Sequence, residues 1–88
     1  MAESFYKAGQ KYFIRTVSSF FTGRLVTFND KELLFSEAAW IPDAGRLSEV
    51  LKTGKFAEAE PYLKDVIINR DCIVDGTVFN HELPTHTK

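Results

Sequence analysis

FFTGRLVTFNDKELLFSEAAWI, residues 20–41, is the stretch whose reading decides the fold. Asn29, Asp30 and Lys31 lie between two apolar runs, and these residue types favour turns. The stretch therefore predicts a hairpin in which Arg24–Phe28 pairs with Glu32–Ser36. Glycine inside a strand weakens the pleat and usually marks a bend or bulge. Gly23 accordingly predicts a strand bent to close a small barrel.

Outward from the hairpin, YFIRTVSS at residues 12–19 is rich in β-branched and aromatic types and reads as the first strand. Trp40 and Ile41 complete the third strand, and Pro42 stops it. A short helix is predicted over residues 43–53, with Asp43 as its N-cap and Gly54 as a left-handed C-terminal cap. Leu47, Val50 and Leu51 fall on one face of it and should pack on the barrel. Lys55–Asp65 alternates charged with small or aromatic residues around Pro61, and reads as an irregular, partly extended connection. Val66–Asn69 and Cys72–Phe79, separated by Arg70 and Asp71, are the last two strands. Five short strands without long parallel crossovers predict an all-β chain with one short helix, folded as a small, strongly bent, antiparallel barrel. Residues 1–88 are expected to form one domain, with residues 1–10 an N-terminal extension and His81–Lys88 a loose tail.

Composition narrows the function. Eight phenylalanines, three tyrosines and one tryptophan supply a core without disulfide or metal staples. No apolar window is long enough for a membrane helix, and MAESFYKAGQK lacks the apolar run of a secretion signal, so a cytoplasmic protein is expected. Cys72 is the only cysteine, which excludes an internal disulfide and fits a reducing compartment. Its place in an aliphatic run predicts an inert, buried thiol. Eleven Lys and Arg against twelve Asp and Glu leave a net charge of −1, unlike the basic balance of a dedicated nucleic-acid binder. The charge is uneven: residues 1–28 hold four bases and one acid, and residues 29–88 hold seven bases and eleven acids. That asymmetry is compatible with one basic surface or with evenly solvated strand faces.

Gly23, Leu25, Phe28, Asn29 or Asp30, Leu33, Phe35, Glu37 and Ala38 follow an order that resembles the first motif of the Sm and Sm-like RNA-binding proteins. VIINRDCIV, residues 66–74, is similar to that family's second motif through Ile68, Arg70, Ile73 and Val74, with Asp71 where the motif has glycine. Together the motifs cover roughly a third of the chain. The combination of FIRTV, TGRLV and AAWI segments is expected among phage-borne members. The predicted helix at 43–53 departs from the family pattern, in which the helix precedes the first strand.

The resemblance implies an Sm-like barrel, a homo-oligomeric ring of five to seven copies joined through the fourth and fifth strands, and single-stranded RNA or DNA bound where two loops meet. Carried over by position, those loops are Asn29-Asp30-Lys31-Glu32 and Asn69-Arg70-Asp71. The implied nucleic-acid-binding residues are Asn29, Lys31, Asn69 and Arg70, because exposed bases offer a flat face and a pairing edge to planar and amide side chains. Glu32 stands where the family places a base-reading asparagine, and a carboxylate there repels phosphate. Arg70 has a plainer reading as the ion-pair partner of Asp71, Asp75 or Glu32. The ring has one too, as a structural or adaptor assembly that contacts proteins alone.

Enzymatic chemistry finds no footing in the residues. His81 and His86 lie in the expected tail, away from any nucleophile, and lack a third metal ligand. No glycine-rich phosphate loop is present. Asp71 and Asp75 read as a solvated edge, and Trp40 and Phe56 as core or interface. The expectation is a binding protein without cofactor or metal.

Overall fold

A computed structural model describes residues 4–88. Three consecutive antiparallel strands form its centre: β1 (Lys11–Thr16), β2 (Phe20–Phe28) and β3 (Glu32–Asp43). The β2–β3 hairpin closes at Asn29, whose N–H donates to the Glu32 carbonyl at 3.0 Å. Two more strands complete a barrel-like sheet: β5 (Val66–Asn69) on the first part of β3, and β6 (Ile73–Val78) on β1. A sixth strand, β4 (Glu58–Pro61), extends the sheet beyond the far end of β3.

The bend lies where Gly23 predicts it. β3 changes partner, with Glu32–Phe35 facing β5 and Ala39–Asp43 facing β4. Between those halves Glu37 takes a left-handed φ of 52°, and the register against β2 slips between Thr22 and Arg24. Such a slip is a bulge, which sharpens the local twist. A Cβ on Gly23 would stand 3.0 Å from Phe35 Cβ, so the bent strands touch where only hydrogen fits.

The bent sheet buries apolar residues on both faces. Phe13, Ala39, Ile41, Val50, Phe56 and Phe79 form one cluster, and Tyr12, Ile14, Leu25, Leu33, Phe35 and Ile68 belong to the other. Successive strand residues point to opposite faces. The unbroken apolar run Tyr12-Phe13-Ile14 serves both clusters, all three side chains being buried. Full burial of residues such as Ile14, Leu25 and Phe35 stabilises by roughly 1.5–3 kcal/mol each.

Several expectations are corrected. β1 ends at Thr16 rather than at Ser19, because the Thr16 hydroxyl accepts from Ser18 and Ser19 N–H and turns the chain. Pro42 lies within β3 instead of ending it, since the register shift between Trp40 and Asp43 excuses its missing N–H. Asp43 does not cap the helix: its carboxylate accepts from Gly45 N–H at 2.9 Å, and α1 runs only over Leu47–Thr53 behind Arg46. Gly54 does cap α1, at φ 73°, with its N–H bonded to the Val50 carbonyl at 2.8 Å. So short a helix buries one position, Val50, and leaves Leu47 and Leu51 55% and 48% exposed.

The segment expected to be an irregular connection supplies β4. The expected loose tail instead returns over α1 and β4. The His81 ring sits 3.0 Å from the Leu51 carbonyl, Leu83 packs on the first cluster, and Ala59 and Lys88 exchange backbone hydrogen bonds of 2.9 and 2.8 Å. Cys72 is half-buried on a 3₁₀ turn, Arg70–Cys72, rather than on a strand. The Asn69 side chain caps that turn, and the thiol donates to the Asn69 carbonyl at 3.0 Å.

Candidate nucleic-acid interface

The two loops carrying Asn29, Lys31, Asn69 and Arg70 meet at one rim of the barrel. Pairing of β3 with β5 sets Glu32 opposite Asn69, which brings the hairpin turn beside the 3₁₀ turn. Arg70 locks them together. Its backbone N–H donates to the Lys31 carbonyl at 2.8 Å, and its guanidinium donates to the Asn29 carbonyl at 2.6 Å.

The guanidinium carbon also lies 5.5 Å from the Tyr6 ring centroid and 5.9 Å from that of Phe28. Both distances allow attraction between a cation and a ring face. The ion pairs considered for Arg70 are not formed. Asp75 instead pairs with Arg15, and the other ion pair among the described residues joins Arg24 to Glu37 at 2.7 Å.

Each asparagine spends its side-chain oxygen on its own loop. Asn29 Oδ1 accepts from Lys31 and Glu32 N–H, both at 2.8 Å, and Asn69 Oδ1 accepts from Asp71 N–H at 3.2 Å. These local bonds explain why the turns form here. They leave the amide NH₂ groups as what the asparagines can offer a ligand. Lys31 is exposed on the rim, and so are Asp30, Glu32 and Asp71. The rim is thus of mixed charge, two cations among three carboxylates.

Tyr6 is the rim residue that sequence reasoning missed. It comes from the segment read as an extension, and packs edge-on against Tyr12 at 5.3 Å and obliquely against Phe28 at 6.3 Å. Gly9 and Gln10 hold that segment to Leu25 by backbone hydrogen bonds of 2.6 and 2.9 Å. Burial raises the Tyr6 phenol above its ordinary value; the Arg70 guanidinium opposes the shift, while Tyr12 and Asp75 add to it.

Away from the rim, β5 and β6 each have one edge without a strand partner among the described residues. Their exposed apolar residues are Ile67, Val74 and Val78. Phe56 is core, whereas Trp40 is 38% exposed on the β3 edge strip beside β4. Among the described residues no three His, Cys, Asp or Glu gather as metal ligands would, and no helix is long and apolar enough to cross a membrane. Compared with known protein families, curated proteins and solved structures, the chain matches none.

Proposed function

We propose that this chain is a phage-borne Sm-like protein of the bacterial cytoplasm that assembles into a homo-oligomeric ring and binds single-stranded RNA or DNA along its loop rim, without catalysing a reaction. The observation that carries this reading is the junction made by Arg70, which ties the Asn69–Asp71 turn to the Asn29–Glu32 turn and leaves Lys31 exposed beside it. In the reading, Lys31 and Arg70 contact phosphate or stack on a base, and the Asn29 and Asn69 amides donate to base carbonyls. Arg70 reaches a strand with the exposed side of a guanidinium already oriented by Asn29 and two rings.

Charge makes assembly necessary to this function. One copy offers two rim cations against three acids, too little for tight phosphate binding on its own. A ring repeats the rim, and linked weak contacts multiply into useful affinity. The unprotected edges of β5 and β6 support such pairing, because an open edge is a template for another strand. A second reading, an adaptor ring that contacts only proteins, is favoured by one observation, the excess of carboxylates at the rim.

Fluorescence anisotropy of labelled oligo-U, oligo-A and oligo-dT separates the two. The proposal expects binding at about 50 mM salt that weakens by roughly 0.7 log units per log unit of salt for each phosphate neutralised, and a shallower slope for Arg70→Ala. Absence of binding at that salt would remove the nucleic-acid reading and favour the adaptor reading. Binding unaltered in Arg70→Ala and Lys31→Ala would remove the rim from the account.

A further inference from the structure

Trp40 is the only tryptophan in the chain, and the residues on either side of it, Ala39 and Ile41, are buried in the cluster that α1 covers through Val50. Successive strand residues point to opposite faces, so Trp40 points away from that cluster. Strand pairing brings further side chains to it. Phe21 on β2 and Glu60 on β4 are its direct partners across the two ladders, and such partners carry Cβ atoms about 4.5–5.5 Å apart. Tyr62, just past β4, lays its ring beside that of Phe21, with 6.4 Å between centroids and 24° between planes. Phe21, Trp40 and Tyr62 thus make an aromatic strip on the outer face of β2, β3 and β4. Trp40 and Tyr62 are 38% and 44% exposed, and Leu63, next in the chain, is fully exposed.

The charge on this strip has one sign. Glu58 and Glu60 flank Ala59 on β4, and Ala59 is buried in the first cluster, so both carboxylates share the outer face with Trp40. Neither is neutralised: the two ion pairs among the described residues are Arg15–Asp75 and Arg24–Glu37. Lys88 exchanges two backbone hydrogen bonds with Ala59, which puts its side chain on the face of Ala59 and away from the glutamates. Lys64 and Asp65, further along the chain, offset each other.

Ring faces and carboxylates both attract a cation, and the carboxylates repel phosphate. Arginine fits the combination better than lysine. Its planar guanidinium stacks on a ring while its edge donates to a carboxylate.

We propose that the outer face centred on Trp40 is a docking surface for an arginine-bearing segment of a protein partner, with a guanidinium stacked on Trp40 and bonded to Glu60, and with the apolar parts of the segment on Tyr62 and Leu63. The surface lies at the far end of β2 from Asn29 and the rim. It does not rest on the nucleic-acid reading, since a ring of either kind can carry it.

Trp40 reports the contact itself, because no other indole contributes to the emission. Nonapeptides alternating glycine with arginine, lysine or glutamate are titrated at about 150 mM salt, where exposed charges beyond about 8 Å are screened. Fluorescein-labelled copies give affinities by anisotropy for variants without the indole. The proposal expects saturable quenching by the arginine peptide, weaker binding of the lysine peptide, and no response to the glutamate peptide or to a nonamer of oligo-dT. Trp40→Ala and Tyr62→Ala should each lower affinity about threefold or more, and so should Glu58→Gln with Glu60→Gln, two exposed substitutions that leave the core untouched. Three results overturn the proposal: no saturable change up to about 1 mM arginine peptide, the weak limit of specific binding; affinity unaltered in the Glu58→Gln, Glu60→Gln and Tyr62→Ala variants; or quenching by oligo-dT in place of the peptide, which would give the strip to nucleic acid.

Discussion

Replacing Arg70 by alanine removes a clasp as well as a charge, and the loss of stability is calculable from its contacts. The guanidinium–Asn29 hydrogen bond, at 2.6 Å and partly exposed, is worth about 0.5–1.5 kcal/mol once discounted for water. Two ring contacts, at 5.5 and 5.9 Å, add roughly 0.5 kcal/mol each at such exposure. The backbone bond from Arg70 to Lys31 survives the substitution. Arg70→Ala should therefore cost about 1.5–2.5 kcal/mol, and with a urea slope near 1 kcal/mol/M the midpoint should fall by about 1.5–2.5 M. Arg70→Lys keeps the charge without the planar fork and should recover less than half of the loss. Urea melts followed by circular dichroism, at fixed protein concentration because assembly also stabilises, give both values. A midpoint within about 0.3 M of the parent for Arg70→Ala would mean that the loops are joined by strand pairing alone.

Three further outcomes follow from buried groups. Gly23→Ala places a methyl 3.0 Å from Phe35 Cβ and 3.1 Å from its ring, a side chain buried in the core with little room to give, so urea melts should show a loss of about 1–3 kcal/mol; unchanged or raised stability would contradict the tight bend. Thr22→Val removes a buried hydroxyl that has no hydrogen-bond partner, and should stabilise by about 1 kcal/mol; a lower midpoint would show that the hydroxyl is satisfied. The raised Tyr6 pKa keeps its phenol protonated longer in the folded chain, so the associated stability is complete below about pH 10 and is lost as pH rises through the folded value. The tyrosinate absorbance difference between the parent and Tyr6→Phe isolates that step, which should move higher still in Arg70→Ala; a step at or below the ordinary value refutes the burial.

What was legible in the chain was what local chemistry decides. The Asn29 turn, the Gly23 bend, the Gly54 cap and the strand at Val66–Asn69 depend on residues within a few positions, and all are present. The alternation and apolar runs of β1 and β3 were enough to indicate an all-β chain with one short helix. β4 was not legible, because Glu-Ala-Glu-Pro has low strand preference and extends only because the far half of β3 offers it an edge. Leu47 and Leu51 repeat at helical spacing, yet a two-turn helix on this barrel buries only Val50. At the site, sequence placed four residues on two loops that do meet. Its plainer reading of Arg70, as an ion-pair partner of Asp71, Asp75 or Glu32, looked to carboxylates as the visible candidates, whereas Tyr6 approaches from the N-terminal segment and Asn29 contributes a carbonyl rather than a side chain.

The central claim, that a single strand lies along the Arg70 rim, is tested most directly by photo-crosslinking a thiouridine-substituted oligonucleotide to the parent protein and identifying the attached peptides by mass spectrometry. The account predicts adducts within residues 28–32 and 69–72 and at Tyr6, diminished together in Arg70→Ala. Adducts confined to β4 and the C-terminal segment, or none at a concentration where anisotropy reports binding, would place the strand elsewhere and contradict it.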